Sequence, residues 1–237
     1  MGFILAFVLG TAVLQLLLWI RRKKLGTSSL KTVAIHVLAT ILTTLGAMLG
    51  SLAGGHSFLG LRLYGYIIVD TIALFFLNKL FDADIGDHWA MPILAVCSIG
   101  KLPCLISGCC YGIVLRTDVL GNVLLRFPSQ IVEFSIWTLL MLWILFLEKR
   151  GKHKHLLWGI ATVWIGVFRF AVDFFRGNQS EMRLVIFGLP AGRFWSVVSF
   201  VLGLVFLIYS FRKYYKKMPT LPEVVKAIFG INPVKNT

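Results

Sequence analysis

The sequence predicts an all-α polytopic membrane protein of seven transmembrane helices, with its N-terminus outside and its C-terminus in the cytoplasm. Three observations carry that reading. Of the 237 residues, 58% are hydrophobic and only 14% charged, with a mean hydropathy of +0.84, far more apolar than a soluble domain of this length. The apolar residues fall in near-continuous runs, each close to the roughly 20 residues a helix needs to cross the hydrocarbon core. The basic residues gather beside those runs: sixteen of the 24 Lys and Arg lie between Arg21 and Lys31, at Lys79, between Lys149 and Lys154, and after Phe211. A net charge of +14 spread in that way is a topology signal rather than one basic surface, so no nucleic-acid partner follows from it.

The first stretch, Phe3–Ile20, lacks the basic leader of a cleavable signal and carries its charge afterwards, at Arg21-Arg22-Lys23-Lys24. It is expected to stay as the first span. The second and third, Thr32–Leu49 and Phe58–Asn78, contain His36 and Asp70, expected to be an interior histidine and a structural hydrogen-bond partner. The fourth, Ala90–Ile106, holds Lys101 and Pro103, which a span tolerates only where protein or water covers the interrupted hydrogen-bond ladder. Gln130–Leu147, Leu156–Phe175 and Phe194–Phe211 complete the set. Placing the Arg21–Lys24 cluster in the cytoplasm puts Lys149–Lys154 and Arg212–Lys217 there as well, so three loops agree on one orientation. The connections Gly108–Ser129 and Gly177–Arg193 are longer than tight turns and are expected to dip back toward the membrane. Residues 1–217 form one membrane domain and 218–237 a weakly specified cytoplasmic tail.

Charges inside or beside the spans mark the candidate site. At the end of the sixth stretch, Arg169, Asp173 and Arg176 stand at i, i+4 and i+7, one stripe of a helix. A charge in the hydrocarbon region costs at least about 2.5–3.5 kcal/mol, so three together imply pairing or a wet cavity. Asp173 neutralises one arginine. The surplus guanidinium fork suits a phosphate; the competing reading has both arginines snorkelling to the interface around a structural Asp173. At the start of the fifth stretch, Gln130 and Glu133 share a face after Pro128-Ser129, and Glu133 needs a partner, an arginine of the sixth stretch being the obvious candidate; without those neighbours, an interfacial capping role for Ser129 and Glu133 is the competing reading. The third deposit, Gly100 to Gly112, contains Lys101, Cys104, Ser107, Cys109 and Cys110 among glycines that let backbone approach a ligand. Adjacent cysteines without a nearby histidine do not match metal-ligand spacing, and no cofactor is implied. From the second outer connection into the start of the third stretch, Gly54 to Arg62 offers His56, either a general base or a solvated loop histidine, and Arg62.

Taken together, these deposits resemble the prolipoprotein diacylglyceryl transferase family. The resemblance rests on the glycine-rich segment ending Gly108-Cys109-Cys110-Tyr111-Gly112, on Pro128-Ser129-Gln130 followed by Glu133, and on Phe168-Arg169-Phe170 followed by Asp173 and Phe174-Phe175-Arg176. It implies a multi-pass enzyme of the bacterial cytoplasmic membrane that transfers the diacylglyceryl group of phosphatidylglycerol to the lipobox cysteine of a prolipoprotein signal peptide, releasing glycerol phosphate. On this reading Arg169, Arg176, His56 and Glu133 are catalytic, while Lys101, Ser107, Gly112, Gln130, Asp173, Arg193 and Arg62 bind substrate. The chain departs from the family pattern at Leu59, where a histidine is common, at Lys101 and Cys104, which replace an arginine and an asparagine, and at Arg193, where glutamine is common. The alternatives are a related lipid-binding or lipid-modifying membrane protein with another acceptor, and an anion transporter using Arg62, Arg169 and Arg176.

Overall fold

The computed structural model of the chain describes residues 2–53, 63–108, 111–177 and 185–232. It is mostly helical. Each apolar stretch forms a helix: α1 (Gly2–Ile20), α2 (Ser29–Ala53), α3 (Leu63–Leu80), α4 (Ile85–Ile99), α6 (Ser129–Arg150), α7 (Leu157–Asp173) and α8 (Ala191–Tyr214), with a short α5 (Leu102–Ser107) between α4 and α6. Among the described residues, four segments are long and apolar enough to cross a membrane: Ser29–Gly46, Ile85–Ile106, Ser129–Arg150 and Ala191–Tyr214.

Two features differ from the sequence expectation for clear physical reasons. The fourth stretch is a broken helix. Its ladder stops at Gly100–Lys101, and Pro103 opens α5, where its missing N–H and fixed φ are harmless. The connection after Gly108 is a hairpin, β1 (Val114–Thr117) against β2 (Val123–Arg126), closed by a turn with Gly121 at φ 83°. A smaller hairpin, β3 (Val185–Ile186) with β4 (Leu189–Pro190), precedes α8.

The core holds Trp89, Trp137, Trp158 and Phe211, all buried. Helices α7 and α8 approach most closely where glycines stand: a Cβ on Gly166 would lie 2.7 Å from the Phe200 backbone nitrogen, and one on Gly203 2.6 Å from that of Val163. Small residues at such crossings let apolar helices gain van der Waals contact that lipid does not supply. Deep in the bundle, Asp70 accepts from Thr43 and from Trp89 Nε1 at 3.4 Å, and His36 Nε2 meets His88 Nε2 at 3.1 Å.

The basic loops meet at one end of the bundle. Arg21 pairs with Glu148 at 2.6 Å and Lys24 with the same carboxylate at 3.0 Å. Asp84 contacts His155 Nδ1 at 2.5 Å, and Asp87 accepts from the Leu157 backbone N–H at 2.8 Å. The three aspartates of 79–88, silent in the charge rule, thus tie neighbouring loops together, with Asp82 reached by Lys213.

The segment after residue 217 has more structure than its composition suggests. Thr220 and Glu223 form a capping box that starts α9 (Leu221–Ile228). Trp164 Nε1 donates to the Ile228 carbonyl at 2.9 Å, and His153 Nε2 contacts that of Ile231 at 3.2 Å, which holds this helix against α7 and the 150–156 loop. Burial holds the His153 imidazole below its ordinary pKa.

Candidate functional site

At the opposite end, the three deposits found along the sequence are tied by main-chain hydrogen bonds. Gly112 N–H donates to the Phe127 carbonyl at 3.1 Å and Phe127 N–H to that of Ile113 at 2.9 Å, while Ile113 N–H donates to Phe175 at 3.0 Å and Gly177 N–H to Tyr111 at 3.0 Å. Residues 111–113 are therefore a short strap between the entry to α6 and the exit of α7. A Cβ on Gly112 would stand 2.6 Å from Phe127 Cβ and 2.8 Å from the Phe175 carbonyl oxygen, so only glycine fits. The rings of Phe127 and Phe175 stack beside the strap, with centroids 5.0 Å apart, and the Arg126 guanidinium lies 4.3 Å over the Tyr111 ring.

Under the strap, one turn into α6, sits Glu133, 1% exposed. Its carboxylate receives three cations. Lys101 reaches it from the break between α4 and α5; Arg169 Nη1 lies 3.0 Å from Oε1; Arg176 Nε lies 3.6 Å from the same oxygen. Asp173 stands between Arg169, 3.9 Å away, and Arg193, also at 3.9 Å. The Asp173 carboxylate also rests on the start of α8, where a Cβ on Gly192 would fall 2.8 Å from both its oxygens. An anion there faces the positive end of the helix dipole. Arg193 spreads its guanidinium 3.8 Å over the Phe174 ring.

Among the described residues, Lys101, Arg169, Arg176 and Arg193 thus meet the carboxylates of Glu133 and Asp173 in one cluster. Arg169 and Arg176 are only 3% and 4% exposed, so they do not snorkel. Guanidinium forks next to an ammonium favour the oxygens of a phosphate or carboxylate ligand.

The structure therefore brings together Lys101, Glu133, Arg169, Asp173, Arg176 and Arg193, with Gly112 in the strap. Gln130 is half-buried in the first turn of α6, one turn from Glu133, and Ser107 closes α5. His56, Arg62, Cys109 and Cys110 lie outside the described residues. Sequence reasoning missed Gly192 and the aromatic pair Phe127/Phe175. Gly192 had a signal, since it directly follows the Pro190-Ala191 helix start; the stacking of two phenylalanines 48 positions apart had none.

The family profile of prolipoprotein diacylglyceryl transferases matches residues 2–209. The chain is similar to phosphatidylglycerol–prolipoprotein diacylglyceryl transferases of Stenotrophomonas maltophilia (31% identical over 102 residues, 43% of this chain and 34% of that protein) and of Anaplasma marginale (27% over 139 residues, 50% and 48%). A relative of the same name from Clostridium tetani is 25% identical over 168 residues, 65% of this chain and 66% of that protein. The first two alignments thus span between a third and a half of the relatives' own length.

Proposed function

Because the chain belongs to the prolipoprotein diacylglyceryl transferase family, we propose that it transfers the diacylglyceryl group of phosphatidylglycerol to the lipobox cysteine of a prolipoprotein, releasing glycerol phosphate. The observation that carries the reading is the cluster in which Arg169, Arg176, Lys101 and Arg193 converge on Glu133 and Asp173 at the junction of three motifs. In the reaction the cysteine sulfur forms a bond to the glyceryl carbon as the bond from that carbon to the phosphate oxygen breaks. The electron pair leaves with glycerol phosphate, whose negative charge rises by one. Arg169 and Arg176 hold the phosphate and stabilise that growing charge, while Glu133 and Asp173 orient the guanidinium groups. Lys101 and Arg193 add positive potential. Ser107, Gly112, Gln130 and Arg62 contribute to the substrate surface. The thiol proton must leave, because the thiolate is the nucleophile, and His56 is the candidate base.

The same reading places the enzyme in the bacterial cytoplasmic membrane with seven spans, its N-terminus outside and its C-terminus inside. The positive-inside rule supports it, and so does the gathering of Arg21, Lys24, Lys154 and Lys213 at the end away from the site. The substrates fit that orientation: the donor enters sideways from the bilayer, and the acceptor thiol arrives on the outer side.

Arg169→Ala provides the test. Purified protein, phosphatidylglycerol and a lipobox peptide are incubated, and the peptide is followed for the mass of a diacylglyceryl group. The wild type is expected to add it, and Arg169→Ala to lose about 100-fold or more in rate, the magnitude of losing a charge-stabilising donor. Arg169→Lys, which keeps the charge without the fork, separates misfolding from lost chemistry by folding normally with reduced rate. Full activity in Arg169→Ala would end the phosphate-clamp role, and no peptide adduct with wild type would end the transfer reading.

A further inference from the structure

The hairpin β1–β2 stands next to the strap, and its surface is unusual for a segment in water. Val114 and Leu115 on one strand and Val123, Leu124 and Leu125 on the other are all exposed, along a ladder whose register shifts on both sides of Arg116. An antiparallel ribbon that packs on one side buries the apolar side chains of that face; here these five are uncovered. The tip is more extreme, with Val119 104% and Leu120 87% exposed.

The polar atoms of the tip are turned inward. Asp118 Oδ1 accepts from the backbone N–H groups of Leu120 at 2.9 Å and Asn122 at 2.7 Å, and Oδ2 from the Asn122 amide at 2.8 Å. Gly121 N–H donates to the Asp118 carbonyl at 3.1 Å and Asp118 N–H to that of Asn122 at 2.9 Å. The turn satisfies the N–H groups of Asp118, Leu120, Gly121 and Asn122 internally and leaves two bare aliphatic side chains outermost. Its one acid is engaged by Asn122, whereas Arg116 is exposed on β1 and Arg126 stands at the base.

We propose that this hairpin is a membrane-docking wedge, seating Val119 and Leu120 at the acyl boundary and setting Arg116 and Arg126 against anionic phospholipid headgroups. Depth follows from the backbone. A two-stranded ribbon keeps unpaired N–H and C=O groups along its outer edges, which hydrocarbon does not tolerate, so the strands lie in the interfacial layer and only the tip enters. Position follows from continuity: β2 runs through Phe127 and Pro128 into α6, one of the membrane-crossing segments, whose Ile131 is exposed two residues into the helix. Because the strap joins the hairpin to the charged cluster, docking would hold that cluster at headgroup level. The wedge does not depend on the transfer reaction, and its test does not use it.

The full chain is placed in nanodiscs of phosphatidylglycerol and phosphatidylcholine with Leu120→p-benzoylphenylalanine, irradiated, and weighed intact. Covalent adducts of phospholipid mass are expected, with a lower yield when phosphatidylcholine is the sole lipid. Arg116→Gln should reduce the yield about fivefold in the anionic discs, the effect of one basic residue at such a surface, and leave it unchanged in the zwitterionic ones. The tip is fully exposed, so the substitution does not disturb packing. Absence of lipid adducts, or a yield indifferent to headgroup and to Arg116, would each overturn the wedge.

Discussion

Glu133 shows how a single buried carboxylate can hold a binding site in shape. It receives Lys101, Arg169 and Arg176, so neutralising it leaves three interior cations with less compensation, and removing one partner of a buried pair costs about 3–5 kcal/mol. Glu133→Gln is therefore expected to lower the Tm in detergent markedly, and an unchanged Tm would show that the cluster needs no such anchor. The sequence points to Glu133 as a carboxylate in want of an arginine from α7, and Arg169 lies in contact. Lys101 is legible as a charge beside a helix break and, through the resemblance, as a substrate-binding residue, but not as a partner of Glu133. That it turns toward the same carboxylate depends on the path of the chain around Gly100, which no local pattern encodes.

The site depends on how elements are joined as much as on any helix. The strap 111–113 bonds on one side to the entry of α6 and on the other to the exit of α7, and this fixes Glu133 relative to Arg169 and Arg176. Gly112→Ala would force a Cβ against Phe127 and the Phe175 carbonyl. Backbone cannot yield as a flexible side chain does, so a loss of about 1–3 kcal/mol is expected from overpacking, read by chemical unfolding and accompanied by faster amide exchange at Gly112, Ile113 and Gly177. A variant with unchanged exchange at those amides would disprove the strap's role. Helix positions were readable because each apolar run meets its length requirement alone. The hairpin was not, since a segment of Val, Leu and Arg around Asp118–Asn122 suits a dipping loop equally well until its two strands pair.

At the scale of the molecule, charge separates into two ends with different logic. One end collects the basic loops and compensates part of their charge with Glu148 and Asp82. The other gathers Arg169, Arg176, Lys101 and Arg193 around two buried carboxylates, Glu133 and Asp173. The proposed topology predicts that, in a chain with its native cysteines replaced, Lys152→Cys reacts with an impermeant thiol reagent only when the cytoplasmic side of the membrane is open to it. Val119→Cys should react only from the outer side, reduced where lipid shields it. Labelling of both from the same side would refute the arrangement of spans.

The sequence by itself determined that the protein is a helical membrane protein, roughly where its helices lie, and which charges stand where charges are costly. These properties depend on residues close together in the chain, on apolar run length, on flanking charge and on the spacing of Arg169, Asp173 and Arg176 along one helix face. Tertiary structure alone decided that Glu133 takes three cations, that Asp173 sits between Arg169 and Arg193 against Gly192, and that Gly112 is the joint between α6 and α7. Those are contacts between side chains and backbone far apart in sequence, set by how antiparallel helices pack and where their ends meet, and residue spacing carries no measure of that distance.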